Sequence, residues 1–106
     1  MKIEISSKNI ELLPSLNAYI EEKIGMLQKH VQKFESEGET SVRVRIGRTS
    51  EHHHKGEIFE VSADLALPGT SLHADKTDAD LHTAVDLVRD ALAYEAEKYK
   101  DKHSPS

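Results

Sequence analysis

Residues 57–76 decide the fold, and they read EIFEVSADLALPGTSLHADK. Apolar side chains occupy every second position of the first half, at Phe59, Val61, Ala63, Leu65 and Leu67. This period of two is typical of a half-buried β-strand, and Pro68-Gly69 is a strong turn signal. The segment therefore predicts two antiparallel strands, over 57–67 and 71–76, joined by a tight turn.

The same alternation appears in two earlier segments, 1–7 and 41–48, which predict two more strands. Apolar residues at helical spacing predict helices over about 12–34 and from a capping-box-like Thr77–Asp80 to about residue 101. Gly25, inside the first helix, is expected to allow close packing by a neighbour. The order β-α-β-β-β-α predicts an α+β two-layer sandwich, a four-stranded sheet with both helices packed on one face, as in double-stranded-RNA-binding folds.

The composition is that of one small domain: 106 residues, 37% of them hydrophobic, with a net charge of −5 and no cysteine. The length predicts a single domain over residues 1–102, followed by a disordered tail over 103–106. Without cysteine, the chain has no disulfide framework and no cysteine-ligated zinc. No apolar run approaches a membrane span and the start is too polar for a signal peptide, so we expect a cytoplasmic protein.

The residues that could carry catalysis or bind a metal do not form a recognisable set. Carboxylates are dispersed, a glycine-rich phosphate loop is absent, and the His82/Asp86 pair is typical of an ordinary contact on one helix face. His52-His53-His54 suggests a metal, but adjacent side chains diverge, so a tetrahedral site would need Glu51 and His73 as further ligands. We therefore expect no enzyme, no cofactor and no metal, while phosphate contact by this loop stays open.

Basic residues are concentrated locally although the chain as a whole is acidic. Residues 41–56 carry four basic side chains against one acidic side chain. Arg43 and Arg45 project from the same side of their predicted strand, and Arg48 extends toward the following loop. A local positive field of this kind can bind a polyanion even on an acidic protein.

The last helix carries Tyr94, Lys98 and Lys102 on one ridge, at i, i+4 and i+8. Lys23 of the first helix is expected to extend into a groove that faces this ridge. Such a groove can follow a phosphate backbone. The alternative is a solvated rim with Glu95 and Glu97 as ion-pair partners, and the residues alone leave both interpretations open.

The segment Asp80-Leu81-His82-Thr83-Ala84-Val85-Asp86 resembles the D-M-Y-x-A-I-D motif of the ribosome hibernation-promoting factors, also called ribosome-associated inhibitor or ribosomal subunit interface proteins. Residues 3–9 resemble the first strand of that family, and residues 19–27 its first helix. Residues 67–74 resemble the last hairpin, and residues 98–102 the end of the last helix. The resemblance covers residues 1–102.

This resemblance implies the same fold and a non-enzymatic stress or stationary-phase factor. Family members bind the small ribosomal subunit near the decoding centre, contact its 16S-type ribosomal RNA and neighbouring ribosomal proteins, and block mRNA and tRNA binding to the 70S ribosome. A short form is implied, monomeric off the ribosome and without a membrane partner. By position, the RNA-binding residues would be Lys23, Arg45, Arg48, Lys76, Lys98, Lys100 and Lys102, and the residue pattern itself adds Arg43, Lys55 and Arg89.

The chain departs from the family at several positions. Basic residues are usual along the last helix, where this chain has Ala91, Tyr94, Glu95 and Glu97, and an aromatic Tyr is usual where it has His82. These departures bear on the affinity for RNA. The net charge of −5 and the acidic segment 57–80 motivate an alternative function, a protein-interaction or regulatory module of the same fold with little RNA affinity.

Overall fold

The computed structural model describes residues 1–49 and 58–103. Its elements are β1 (Lys2–Lys8), α1 (Pro14–Gly25), α2 (Gln28–Val31), a 3-10 segment (Gln32–Ser36), β2 (Ser41–Thr49), β3 (Ile58–Leu67), β4 (Thr70–Asp78) and α3 (Leu81–His103). The predicted element order is confirmed, and the strands end within two residues of their predicted positions. The predicted loop with His52–His54 and Lys55 lies outside the described residues, as do residues 104–106.

The four strands form one sheet in the order β1-β2-β3-β4. β1 is parallel to β2, with Ile3 opposite Val42. The other two pairings are antiparallel, and Ala63 of β3 lies opposite Val44 on one side and Ala74 on the other. The last three strands therefore form the predicted meander, because each is joined to the next without a crossover.

The core lies between the helices and one face of the sheet. Every second strand residue points into it, and α3 contributes a matching stripe that packs on β3 and β4. The completely buried large side chains are Ile20, Ile24, Leu27, Val31, Val44, Val61, Leu65, Val85, Val88 and Leu92. The opposite face of the sheet, here called the open face, carries polar residues such as Arg43, Arg45 and Asp64.

The predicted single helix over about 12–34 is wrong, because the structure interrupts it after Gly25. The N–H groups of Met26 and Leu27 bond to carbonyls three residues back, at 3.2 and 3.0 Å, which tightens the backbone before α2 begins. Glycine weakens a helix at this point. The expected close packing against Gly25 is also wrong, since a Cβ at this position would meet no atom within 4 Å.

α3 begins at Leu81 with Asp80 as its cap, three residues later than a capping box that starts at Thr77 predicts. The Oδ1 atom of Asp80 accepts the N–H of His82 at 2.9 Å, while Thr77 and Asp78 belong to β4. An aspartate that accepts an N–H of the first helical turn is a favourable N-cap. α3 has 23 residues, but within the described ranges no helix is long and apolar enough to cross a membrane.

Glu35 ties the 3-10 segment to the start of the sheet. Its carboxylate accepts a 2.9 Å bond from the amino group of Met1, a 2.7 Å bond from the buried Thr40 hydroxyl, and a bond from the Gln28 amide. The bonds from these donors lower the pKa of Glu35 to about 2, and the largest effect comes from Met1, followed by Thr40 and Gln28. The carboxylate is therefore ionised throughout the neutral range and stabilises this corner of the fold.

Candidate nucleic-acid interface

The seam between the helices is built around Tyr19. Its hydroxyl donates a 3.0 Å hydrogen bond to Asp86, and its ring packs against the His82 ring with centroids 4.2 Å apart. Burial, and then the bond to Asp86, raise the pKa of Tyr19. His82 and Asp86 both contact Tyr19, so this pair of the motif joins α3 to α1.

Contacts further along show that the α1–α2 segment and α3 run side by side in the same direction. Arg89 of α3 lies against the Met26 sulfur at 3.5 Å, and Glu97 lies 3.3 Å from the ring of His30. Lys23 of α1, whose ammonium is 5.5 Å from the Tyr19 ring, is therefore level with Asp86. It is separated from Lys98 by about three turns of α3, or roughly 18 Å.

The predicted groove between Lys23 and the Lys98 ridge is therefore not formed. Ala96 is buried in the core and Glu97 faces α2. Because each helical residue turns by about 100°, Lys98 points to the flank of α3 that faces away from α1. Tyr94 and Lys102 lie on this same flank, while Arg89 and Lys100 lie nearer the seam.

The flank away from α1 combines an exposed aromatic ring with two cations. Tyr94 is 64% exposed, and the Lys98 ammonium is 5.2 Å from its ring centroid. Lys98 is also 3.5 Å from the Glu95 carboxylate. Lys102, one further turn along, is exposed.

The cations near the seam are more closely paired with acids. Arg89 Nη2 is 2.9 Å from Asp90, and Lys100 Nζ is 2.9 Å from Glu97. The bond from Lys100, and then the one from His30, lower the pKa of Glu97. RNA binding by Arg89 or Lys100 would have to compete with these carboxylates.

Arg43 and Arg45 share the open face of the sheet, as the alternation predicts. Arg43 Nε lies 3.4 Å from Glu4, and Arg45 Nη2 lies 2.8 Å from Asp64. Asp64 also bonds to the ring of His73 at 2.6 Å. The bonds from His73 and then Arg45 lower the pKa of Asp64.

His73 lies between two carboxylates, because its other ring nitrogen is 3.0 Å from Asp75. The bonds to Asp64 and then Asp75 raise the pKa of His73. The possible metal site with Glu51 and His52–His54 involves residues outside the described ranges. Within those ranges, no three His, Asp or Glu side chains form a metal-binding group.

A second group of cations, carried by β1, β2 and β4, lies at one end of the sheet. A concavity of about 570 Å³ at this end is lined by Lys8, Arg45, Arg48 and Lys76, together with Glu60 and Asp75. Lys76 lies opposite the buried Val61, and Arg48 lies opposite Phe59 two residues earlier, so these two side chains project from the helix side of the sheet and Arg45 from the open face. Arg48 also lies 6.0 Å from the Phe59 ring centroid. Sequence reasoning missed Lys8, whose place opposite Gly47 depends on the parallel pairing of β1 with β2.

The ten predicted RNA-binding residues thus do not form one patch. Among those described, Arg43 and Arg45 lie on the open face, Arg48 and Lys76 at the sheet end, Lys23, Arg89 and Lys100 near the helix seam, and Lys98 and Lys102 on the far flank of α3. Lys55 lies outside the described residues. The predicted cations are therefore spread over several faces of the domain.

The sequence of the chain is similar to those of known proteins. Residues 3–104 match the family described as Sigma 54 modulation protein / S30EA ribosomal protein. A ribosome hibernation promotion factor of Picosynechococcus is 31% identical over 103 residues, covering 97% of this chain and 51% of the relative. One from Deinococcus radiodurans is 25% identical, covering 94% and 49%. The ribosome hibernation promoting factor of Pseudomonas putida is 28% identical, covering 96% and 89%.

The chain spans about half the length of the first two curated relatives. Two solved structures share its fold. The N-terminal domain of Thermus thermophilus Protein Y superposes with a TM-score of 0.76 at 22% identity, covering 93% of this chain and 99% of that one. A ribosomal subunit interface protein from Coxiella burnetii superposes with a TM-score of 0.75 at 22% identity, covering 95% and 99%.

Proposed function

Because the chain belongs to the Sigma 54 modulation protein / S30EA ribosomal protein family, we propose that it is a ribosome hibernation factor. It binds the small ribosomal subunit near the decoding centre and blocks mRNA and tRNA binding. The observation that carries this proposal is the family match over residues 3–104. Relatives named as hibernation factors match 94–97% of the chain, which supports it further.

The mechanism is steric occlusion combined with phosphate contacts to ribosomal RNA. Lysine and arginine supply such contacts without reading sequence. Residues 1–102 act as the single ribosome-binding domain, monomeric off the ribosome and cytoplasmic. The contacting residues are Lys23, Arg43, Arg45, Arg48, Lys55, Lys76, Arg89, Lys98, Lys100 and Lys102.

Co-sedimentation tests this proposal directly. The purified protein is centrifuged with bacterial 30S and 70S particles over a series of salt concentrations. We expect stoichiometric pelleting that weakens with salt and is competed by mRNA together with tRNA. Absence of pelleting even at low salt would show that the RNA-binding surface is not functional.

A second candidate is a protein-interaction or regulatory module with little RNA affinity. The observation that favours it is the pairing of cations with acids: Arg43 with Glu4, Arg45 with Asp64, and Lys100 with Glu97. The net charge of −5 adds a general repulsion from RNA. This candidate predicts a partner with a basic surface and no salt-dependent pelleting with ribosomes.

A further inference from the structure

The flank of α3 that faces away from α1 carries a continuous stripe, here called the outer stripe. It consists of Leu87, Ala91, Tyr94, Lys98 and Lys102, spaced at i, i+4, i+7, i+11 and i+15. Residues at this spacing lie on one side of a helix, and the stripe is about 22 Å long. Its first half is apolar and its second half is cationic.

Tyr94 is the most exposed large hydrophobic side chain among the described residues, at 64%, and Leu87 in the same stripe is 39% exposed. The core does not account for either side chain, because α3 buries Val85, Val88 and Leu92 on another side. An aromatic ring exposed beside a second apolar side chain is a common mark of a contact surface.

Lys98 gives the ring a charged neighbour. Its ammonium lies 5.2 Å from the ring centroid, within the range of a cation–π contact. The Glu95 carboxylate lies 3.5 Å from the same ammonium. The ring is thus supported before any ligand arrives, which reduces the ordering cost of binding.

From this arrangement we infer that Tyr94 is a stacking platform for an unpaired RNA base, with Lys98 and Lys102 contacting the phosphates next to it. The inference rests on the proposed function and gives the ribosome contact a component that is specific to single strands. Charge complementarity favours RNA over a protein partner, because two lysines continue the stripe beyond the ring. An unpaired base is required because the faces of paired bases are covered within the helix stack.

A tryptophan reporter tests the inference at this one position, because the chain contains no tryptophan. Tyr94→Trp is titrated with short single-stranded oligoadenylate and with an RNA duplex of equal length. Leu13→Trp is the matched control, since Leu13 is 50% exposed and precedes α1, away from the outer stripe. We expect the single strand to quench the indole fluorescence of Tyr94→Trp in a salt-dependent way. The duplex should have little effect on that variant, and neither RNA should change the fluorescence of Leu13→Trp appreciably.

Ribosome binding supplies the second measurement. Loss of a stacked base weakens binding by about fivefold or more, so Tyr94→Ala should raise the dissociation constant by that factor. Tyr94→Phe keeps the ring and should bind like the wild type. Thermal unfolding of each variant checks that the exposed substitution leaves the fold intact.

The outcomes separate this inference from the proposed function. Normal pelleting of Tyr94→Ala, with no quenching of the indole in Tyr94→Trp, overturns the platform and leaves the ribosome proposal standing. Quenching without ribosome pelleting supports the platform and overturns the ribosome proposal. A shift of the Tyr94→Trp emission on ribosomes without any response to oligoadenylate assigns the stripe to a protein partner and overturns the RNA assignment.

Discussion

The hydroxyl of Tyr19 donates a 3.0 Å hydrogen bond to the carboxylate of Asp86, 67 residues further along the chain. This bond joins α1 to α3, and the ring of His82 packs on the same phenol. Within the segment from Asp80 to Asp86, His82 and Asp86 therefore hold the two helices together. The first position of this segment caps α3 through the N–H of His82.

We expect Tyr19→Phe and Asp86→Ala each to lower the free energy of unfolding by about 1 kcal/mol, because each removes this hydrogen bond. Urea denaturation of the two single variants and the double variant gives their coupling energy, which should also be about 1 kcal/mol. Tyr94→Phe combined with Asp86→Ala is the control pair and should show no coupling. Fully additive losses at Tyr19 and Asp86 would contradict the role of the bond.

Two glycines are expected to respond to alanine in opposite directions. Gly25→Ala should stabilise the protein by about 0.4–1 kcal/mol, because the position ends a helix and a Cβ there meets no atom within 4 Å. Gly69→Ala should destabilise it by about 1 kcal/mol, because Gly69 has a φ of 82° in the turn between β3 and β4. Thermal unfolding measures both, and equal shifts of the midpoint would refute the backbone argument.

The strands could be predicted from sequence because alternation reports burial directly. β3 was expected over 57–67 and spans Ile58–Leu67. The break after Gly25 was missed because Leu27, Val31 and Phe34 keep a helical spacing across it, and all three are buried. Periodicity alone cannot distinguish one helix from two short helical segments that bury the same face.

The candidate site was predicted less completely, since it depends on how the elements are rotated against each other. The shared ridge of Lys98 and Lys102 follows from spacing within one helix. Whether that ridge faces α1 or points away from it depends on how α3 is rotated, which is fixed by contacts such as the one between His30 and Glu97, 67 residues apart. The acid partner of Arg45, Asp64, likewise appears only with the pairing of β2 and β3.

Stability is expected to depend on pH through Glu35. Its pKa is lowered from 4.5 to about 2 in the folded protein. A lowered carboxyl pKa stabilises the fold above the unfolded value, and this stabilisation is lost as pH falls from about 4.5 to about 2. Glu35→Gln should therefore be less stable than the wild type at pH 7, and the difference should shrink through that window.

Unfolding in urea at a series of pH values measures this effect. Glu37→Gln is the matched control, because it removes the same charge from an exposed neighbour. It should retain the pH dependence of the wild type between about 4.5 and 2. A constant difference between Glu35→Gln and the wild type over the whole series would exclude the mechanism.

Ribosome affinity is expected to rise when Arg45 is released from its acid partner. Asp64→Asn removes the charge that lies 2.8 Å from Arg45. Exposed ion pairs contribute about 0.2–1 kcal/mol, so we expect binding to tighten by up to about fivefold. Asp75→Asn is the control, because Asp75 contacts His73 on the same face with the same charge change. Equal tightening in both variants would attribute the effect to net charge and remove Arg45 from the contacts.

The salt dependence of binding tests Lys98 and Lys102 as phosphate contacts. Each phosphate contact adds about 0.7–0.9 to the slope of log affinity against log salt. The double variant Lys98→Ala/Lys102→Ala should therefore bind less tightly at low salt and show a slope smaller by about 1.4–1.8. Lys29→Ala/Lys33→Ala is the matched control, because both lysines are exposed and stand outside the predicted set. Ribosome pelleting at several salt concentrations gives both slopes. If the slope of log affinity against log salt falls equally in the two double variants, the effect comes from total charge. The outer stripe is then not where the RNA backbone binds.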